Sequence, residues 1–390
     1  MLSKAKTVFY LIEFINSYAA VYYSNFLFFY LKRDFGFGEV ENLLTAAFGG
    51  GLYVLAAWQG GKFAERRGCI QALYIGLSVV TLSLFAGLAI PISAVQVLAF
   101  GGWTIGICFT WPALEALISE RAGRRLADRV GLFNVTWATG CAVGYFTTGL
   151  LLENLGMPSL FWLPLLLTLA EMIILAYGSN LRLKEILPEK NEVSHNPITS
   201  SIAPGGETRL FLQMAWFVNP FSYVAINTVI PLIPSLAERL GLSTGQAGII
   251  CSIWMFARLL AFAVLWPWTG WHYRFTWLVG AFLLMIAAFF GFLTASSIPL
   301  LIISEIGFGA SIGLIYYSSL FYSMNVSKGR STNAGIHEAT IGVGLLIGPT
   351  IGALALTLSP AAVHIGAWAV GGLLCTGFMG LFWIKKRKGN

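Results

Sequence analysis

Two stretches carry one pattern: Gly131-Leu-Phe-Asn-Val-Thr-Trp-Ala-Thr-Gly140-Cys-Ala-Val-Gly144 and Gly335-Ile-His-Glu-Ala-Thr-Ile-Gly-Val-Gly344-Leu-Leu-Ile-Gly348. Gly131, Thr136, Gly140 and Gly144 recur as Gly335, Thr340, Gly344 and Gly348, a constant shift of 204 (335 − 131). Nearer the start, Phe14-Ile-Asn16 recurs as Phe217-Val-Asn219, and Phe-Gly-Phe-Gly at Phe35–Gly38 recurs as Leu-Gly-Leu-Ser at Leu240–Ser243. Two blocks in the same order and near-constant register are two copies of one supersecondary unit.

Composition supplies the solvent. Apolar residues make up 57% of the chain and charged residues 11%, far from a soluble average. Runs of about 20 apolar residues, long enough to cross a ~30 Å hydrocarbon layer as helix, occur near 7–31, 40–60, 70–90, 95–118, 130–152, 158–178, 210–234, 245–268, 275–295, 298–322, 333–357 and 361–384. The expected fold is therefore all-α and integral to a membrane, with twelve transmembrane helices in two pseudo-symmetric six-helix bundles. The 43 glycines suit it, because small residues let backbones approach where no hydrophobic effect drives helices together. Residues 179–208 are polar, with Pro188, Pro197, Pro204 and Gly205-Gly206, and read as a cytoplasmic linker between an N-terminal bundle, 1–178, and a C-terminal bundle, 209–390. The first apolar segment carries Glu13, Asn16 and Asn25 and lacks a small-residue cleavage pattern, so it reads as a retained helix.

Charge fixes orientation. Twelve spans put both termini on one face, and that face holds 20 of the 24 Lys and Arg residues. The opposite loops hold Lys32, Arg33 and Arg239, and Arg258 falls inside a span. The positive-inside rule makes both termini cytoplasmic, in a cell (inner) membrane. The net charge of +7 is then a topology signal, and no basic stripe points to nucleic acid. The five cysteines have no paired spacing, so neither a disulfide framework nor a metal site is expected. No cofactor is expected either. The anticipated partners are a small-molecule substrate and the bilayer, with the chain acting as a monomer.

The loop between spans two and three reads Gly60-Gly-Lys-Phe-Ala-Glu65-Arg66-Arg67-Gly68. It resembles the loop signature of the major facilitator superfamily, usually Gly-x-Leu-Ala-Asp-Arg-x-Gly, with Phe63 and Glu65 in place of the usual Leu and Asp. Gly61, Glu65, Arg66 and Gly68 are the expected gate residues. The matching loop of the second half, Trp266 to Arg274, does not keep the signature, and its tryptophans suit an interfacial belt. The resemblance implies an alternating-access transporter whose spans 1, 4, 7 and 10 line a central cavity. Spans 2, 5, 8 and 11 would flank it, and 3, 6, 9 and 12 would form an outer scaffold.

Polar stripes at helical spacing fall in the four lining spans: Glu13, Ser17, Ala20 and Ser24; Gly101, Thr104, Cys108, Trp111 and Glu115; Asn219, Tyr223 and Asn227; Glu305, Gly309, Tyr316 and Ser319. The expected substrate-binding residues are Asn16, Ser24, Trp111, Asn134, Asn227, Arg258, Tyr316 and His337. Intramembrane ionisable groups are expensive and usually functional. Glu338, with Glu13 and Glu305, is a candidate proton carrier; it stands where the first repeat has the neutral Asn134. The plainer reading of Glu338 is an acid favoured near a helix start. Arg258 requires a carboxylate, from a protein partner or from a substrate. Glu115 is expected to pair with the gate arginines, and Glu171 to be structural or to snorkel.

The sequence thus predicts a secondary transporter of a small solute, with proton coupling and an organic anion as the finer reading. Arg258 resembles the span 8 arginine of monocarboxylate transporters, although Trp254 replaces the acid expected one turn earlier. The alternatives are a drug or metabolite efflux antiporter and a non-transporting receptor or partner subunit on the same fold. Drug antiporters usually carry a span 4 arginine, where Gly102 to Gly106 stands here, and a span 5 Gly-Pro motif. Here the Gly-Pro pair is Gly348-Pro349, in span 11. No nucleophile–base pair or metal-ligand cluster suggests an enzyme.

Overall fold

In the computed structural model, which describes residues 3–119, 126–186, 206–327, 331–362 and 364–388, the chain is helical throughout, with no strand among the described residues. The first half comprises α1 (Lys4–Phe35), α2 (Glu39–Arg67), α3 (Cys69–Ala89), α4 (Ser93–Ser119), α5 (Leu126–Leu155) and α6 (Ser159–Ile186). The second comprises α7 (Gly206–Val229), a 3₁₀ turn (Ile230–Leu232), α8 (Ile233–Arg239), α9 (Thr244–Ile250), α10 (Ile253–Leu265), α11 (Phe275–Leu293), α12 (Ile298–Ser327), α13 (Ser331–Leu358) and α14 (Ile365–Lys388). Helix α6 extends to Ile186 and α7 opens at Gly206, so the expected linker narrows from both ends; 187–205 lie outside the described residues.

Eleven segments are long and apolar enough to cross a membrane among the described residues. The twelfth, α1, has the length, 32 residues. It falls short in apolarity because it carries five tyrosines, Asn16, Ser17 and Glu13, and all of these but the half-buried Tyr18 are buried in the protein. Hydropathy alone undercounts a span whose polar residues line the interior.

The repeat is physical. Gly36 ends α1 in the left-handed region at φ 69°, and Gly241 follows α8 at φ 66°, a conformation that only glycine adopts without steric cost. Two residues on, each corner starts a new helix with the same device. The Gly38 N–H donates to Glu41 Oε2 at 2.9 Å, and the Ser243 N–H to Gln246 Oε1 at 3.0 Å. Farther along, Gly140 lets α5 lie against α1, where an added Cβ would stand 2.6 Å from the Phe14 carbonyl oxygen. Gly344 does the same for α13 on α7, where a Cβ would stand 2.8 Å from Tyr223 Cβ. The two copies of the motif therefore make the same helix pair in each half.

Span 7 is interrupted at Pro231 and Pro234, and span 8 by the turn at Cys251-Ser252 between α9 and α10. A proline removes a ladder donor and crowds the preceding carbonyl, which ends regular α-helix. Glu305 of α12 offers Oε2 to the Trp254 N–H at 3.2 Å, satisfying one of the first amides of α10.

On the face opposite the termini the halves are clasped. Lys32 Nζ lies 2.5 Å from Glu238 Oε2 and 3.2 Å from Ser235 Oγ, Arg239 Nη1 lies 3.6 Å from Glu39, and the Gly245 N–H donates to Glu153 Oε1 at 2.7 Å. Toward the terminal face, Trp266 packs against Gly131 across the halves. The expected interfacial belt holds only in part. Trp268 and Trp277 are exposed, but Trp271 is buried, donates Nε1–H to the Leu265 carbonyl at 3.3 Å and packs edge-on against Tyr317 and Phe321. That loop plugs the end of the second half.

Candidate functional site

Between the halves lies a cavity of about 130 Å³. Its walls come from spans 1, 2, 4, 5, 7, 8, 10 and 11, and among the described residues none comes from spans 3, 6, 9 or 12. Each polar stripe contributes the part that reaches the level of the cavity: Ala20 and Ser24, Trp111 and Glu115, Tyr223 and Asn227, and Tyr316.

Arg258 forms one pole. It is 2% exposed, yet among the described residues no carboxylate lies within 4 Å of it. Its Cζ stands 4.6 Å from the Trp137 ring centroid, 4.8 Å from Tyr316, 5.5 Å from Phe262 and 6.0 Å from Tyr223. Nη2 donates to the Tyr223 hydroxyl at 3.4 Å, and Nε has no partner. Ring faces offset part of a buried guanidinium's desolvation, but they supply no acceptor for the Nε hydrogen. A structural ion pair, one of the two readings open from the sequence, is not formed by the described residues.

The carboxyl cluster forms the other pole. Tyr53 Oη donates to Glu338 Oε2, and the carboxyls of Glu115 and Glu338 come within hydrogen-bonding reach of each other. Glu115 thus lines the cavity with Glu338; the arginines of its expected gate pairing, Arg121, Arg124 and Arg125, lie outside the described residues. Glu171 is 1% exposed with neither oxygen hydrogen-bonded among the described residues, so it does not snorkel.

The other expected residues are set back from the cavity. Asn16 donates Nδ2–H to Thr110 Oγ1 at 3.0 Å and ties α1 to α4. Glu13 accepts from Ser17 Oγ at 2.9 Å within α1. Asn134 is buried with both amide atoms unpartnered among the described residues. Glu305 serves the start of α10. The side chain of His337 lies outside the described residues. At the end of α2, Gly61 is buried, Glu65 and Arg66 are exposed, and Gly68 turns the chain at φ 100°.

Sequence reasoning missed Tyr53 and Trp137. Trp137 had a signal: it interrupts the repeat, since the residue 204 further on is Ile341. Tyr53 had none, lying in a flanking span among apolar neighbours.

A two-halved helical membrane protein with a bipolar cavity at the interface is built as a solute transporter. Residues 9–213, just over half of the sequence, match the Major Facilitator Superfamily, and the chain belongs to that family. It is a membrane transporter, not an enzyme. No curated protein sequence matches it. Among solved structures it is similar to the human organic anion transporter MFSD10 (TETRAN), at 14% identity over 97% of this chain and 98% of that one, TM-score 0.69. It is also similar to the nucleoside transporter NupG, at 15% identity over 98% and 99%, TM-score 0.67. At such identities the likeness concerns the fold.

Proposed function

We propose that this transporter moves a small organic anion together with protons, by rocking residues 1–178 against 209–390 about the central cavity. One observation carries the reading: Arg258 is buried among rings, with Nε unpartnered and no carboxylate within 4 Å among the described residues. Leaving a charge buried and uncompensated is costly, and a bound anion supplies the missing partner. Glu338, with Tyr53 and Glu115, holds the proton, and the two poles face the same cavity. The structural likeness to MFSD10, an organic anion transporter, is in keeping with this. The excess of Lys and Arg on the terminal face supports cytoplasmic termini in an inner membrane, with Gly61, Glu65, Arg66 and Gly68 as the cytoplasmic gate. Because one chain completes the cavity, a monomer suffices.

Transport into proteoliposomes tests it. Arg258→Lys weakens uptake strongly, since an ammonium loses the planar two-point grip, and Arg258→Ala nearly abolishes it. Glu338→Gln abolishes proton-driven accumulation while sparing solute exchange. Recovery of transport in the double variant Arg258→Ala/Glu338→Gln would reject both roles in favour of mutual neutralisation.

A further inference from the structure

Resting on that reading, we propose that the anion is a one-ring aromatic monocarboxylate. Size gives the first limit. A cavity of about 130 Å³ is close to the ~150 Å³ apolar cavity that holds a benzene molecule, so the body is a single six-membered ring. Shape gives the second. The Trp137 and Tyr316 rings are nearly parallel, 9° apart with centroids at 5.5 Å, and the guanidinium lies over both. The guanidinium edge at Nε has no hydrogen-bond partner among the described residues. A carboxylate meets that edge with two parallel N–H···O bonds in a common plane. When it is conjugated to a ring, the ring continues the plane outward among Phe133 and Trp254, both of which line the cavity. A saturated ring departs from the plane; a phosphate monoester can meet the same edge with two oxygens, but it brings a second negative charge.

Charge gives the third limit. Arg258 is the only Lys or Arg among the described lining residues, and the opposite pole is a carboxyl pair, which disfavours a second negative charge on the ligand. The carboxyl pole is also engaged internally, through Tyr53 and between Glu115 and Glu338, so it does not stand open to receive a substrate ammonium.

Binding to the purified full chain, followed by calorimetry, separates the possibilities. Benzoate binds about two- to tenfold more tightly than cyclohexanecarboxylate, the fold-change expected of ring–ring contact beyond buried area. Propionate, 2-naphthoate and phthalate bind more weakly still, for want of area, room and charge balance respectively. Phe133→Leu and, independently, Trp254→Leu bring the benzoate to cyclohexanecarboxylate ratio near one while carboxylate binding persists. Equal affinity for benzoate and cyclohexanecarboxylate in the native chain would overturn the aromatic assignment and leave an organic anion standing. Benzamide binding as tightly as benzoate, or no carboxylate of any shape binding, would instead remove the anion reading itself.

Discussion

Gly50→Ala should shift the transporter toward the state open on the face opposite its termini, without removing any group from the cavity. Gly50 is buried where α2 crosses α13, and an added Cβ would stand 2.6 Å from the carbonyl oxygen of Leu345, with backbone atoms of Leu345 and Leu346 nearer still. Backbone cannot rotate aside, so the helices must part. Gly342 faces Val54 in the same way, its added Cβ 2.8 Å from the Val54 nitrogen. Overpacking of this kind costs ~1–3 kcal/mol. That cost falls only on the clasped state, where α2 and α13 touch, which moves the equilibrium by about 5- to 150-fold. Cys141, a buried free thiol on the cavity wall, is a built-in reporter. With the accessible Cys69 and Cys375 replaced by serine, an impermeant maleimide added on the far face should label Cys141 faster in Gly50→Ala by at least the lower factor. Gly280→Ala is the control, since nothing lies within 4 Å of its Cβ. An unchanged labelling rate in a folded Gly50→Ala protein of lowered thermal stability would refute the reasoning: the clash would then be absorbed without separating the halves.

The clasp itself makes a milder prediction. Glu153→Ala removes the acceptor of the Gly245 N–H from the opposite half; because Glu153 is exposed, the loss is about 1 kcal/mol or less. Far-face labelling of Cys141 should rise by up to about fivefold, and slower labelling would show that the contact does not hold the closed state. His272, in the loop before α11, stacks on Phe321 with ring centroids 4.4 Å apart, and partial burial lowers its pKa from the usual 6.5. The sign follows: the unfolded or released loop binds the proton first, so the stability of the loop is full above pH 6.5 and is lost as pH falls toward the depressed folded value. Hydrogen exchange of residues 270–274 should therefore quicken on acidification below that point, and His272→Phe should abolish the pH dependence. Persistence of that dependence in the Phe variant would assign it to another group.

Much of the architecture was legible because it rests on local chemistry repeated twice. Gly140 and Gly344 announce close helix pairs, and Gly36 and Gly241 announce left-handed corners, whatever surrounds them. The candidate site was legible only where helical spacing sufficed, as with Ser24, Trp111, Asn227 and Tyr316. Its decisive features depend on which side chains meet across the two halves, and spacing along one helix carries no such information. The arginines that follow Glu115 in sequence point it to the gate, and nothing along its own helix indicates that it shares a cavity with Glu338 of the other half. Arg258 was open between a protein partner and a ligand for the same reason, and rings from α5, α7, α10 and α12 surround it.

The interruptions in spans 7 and 8 connect this site to motion. In the first half, span 1 runs unbroken for 32 residues beside the cavity, whereas its counterpart, span 7, is divided at Ile230–Leu232. Arg258 sits six residues beyond the break in span 8 (258 − 252), about 9 Å along the helix at 1.5 Å per residue. The cation is thus carried by a short helix whose start is held by Glu305 and the turn at Ser252, not by a span continuous across the membrane. An anion that pulls on Arg258 acts on α10 with little backbone continuity to resist it. Regular helix at membrane depth is given up only where protein or a cavity satisfies the freed groups, and here both breaks flank the cavity: Ile230 on one side, Trp254 and Met255 on the other. On the proposed reading the second half is accordingly the one that deforms when the substrate arrives, against the unbroken span 1 of the first half.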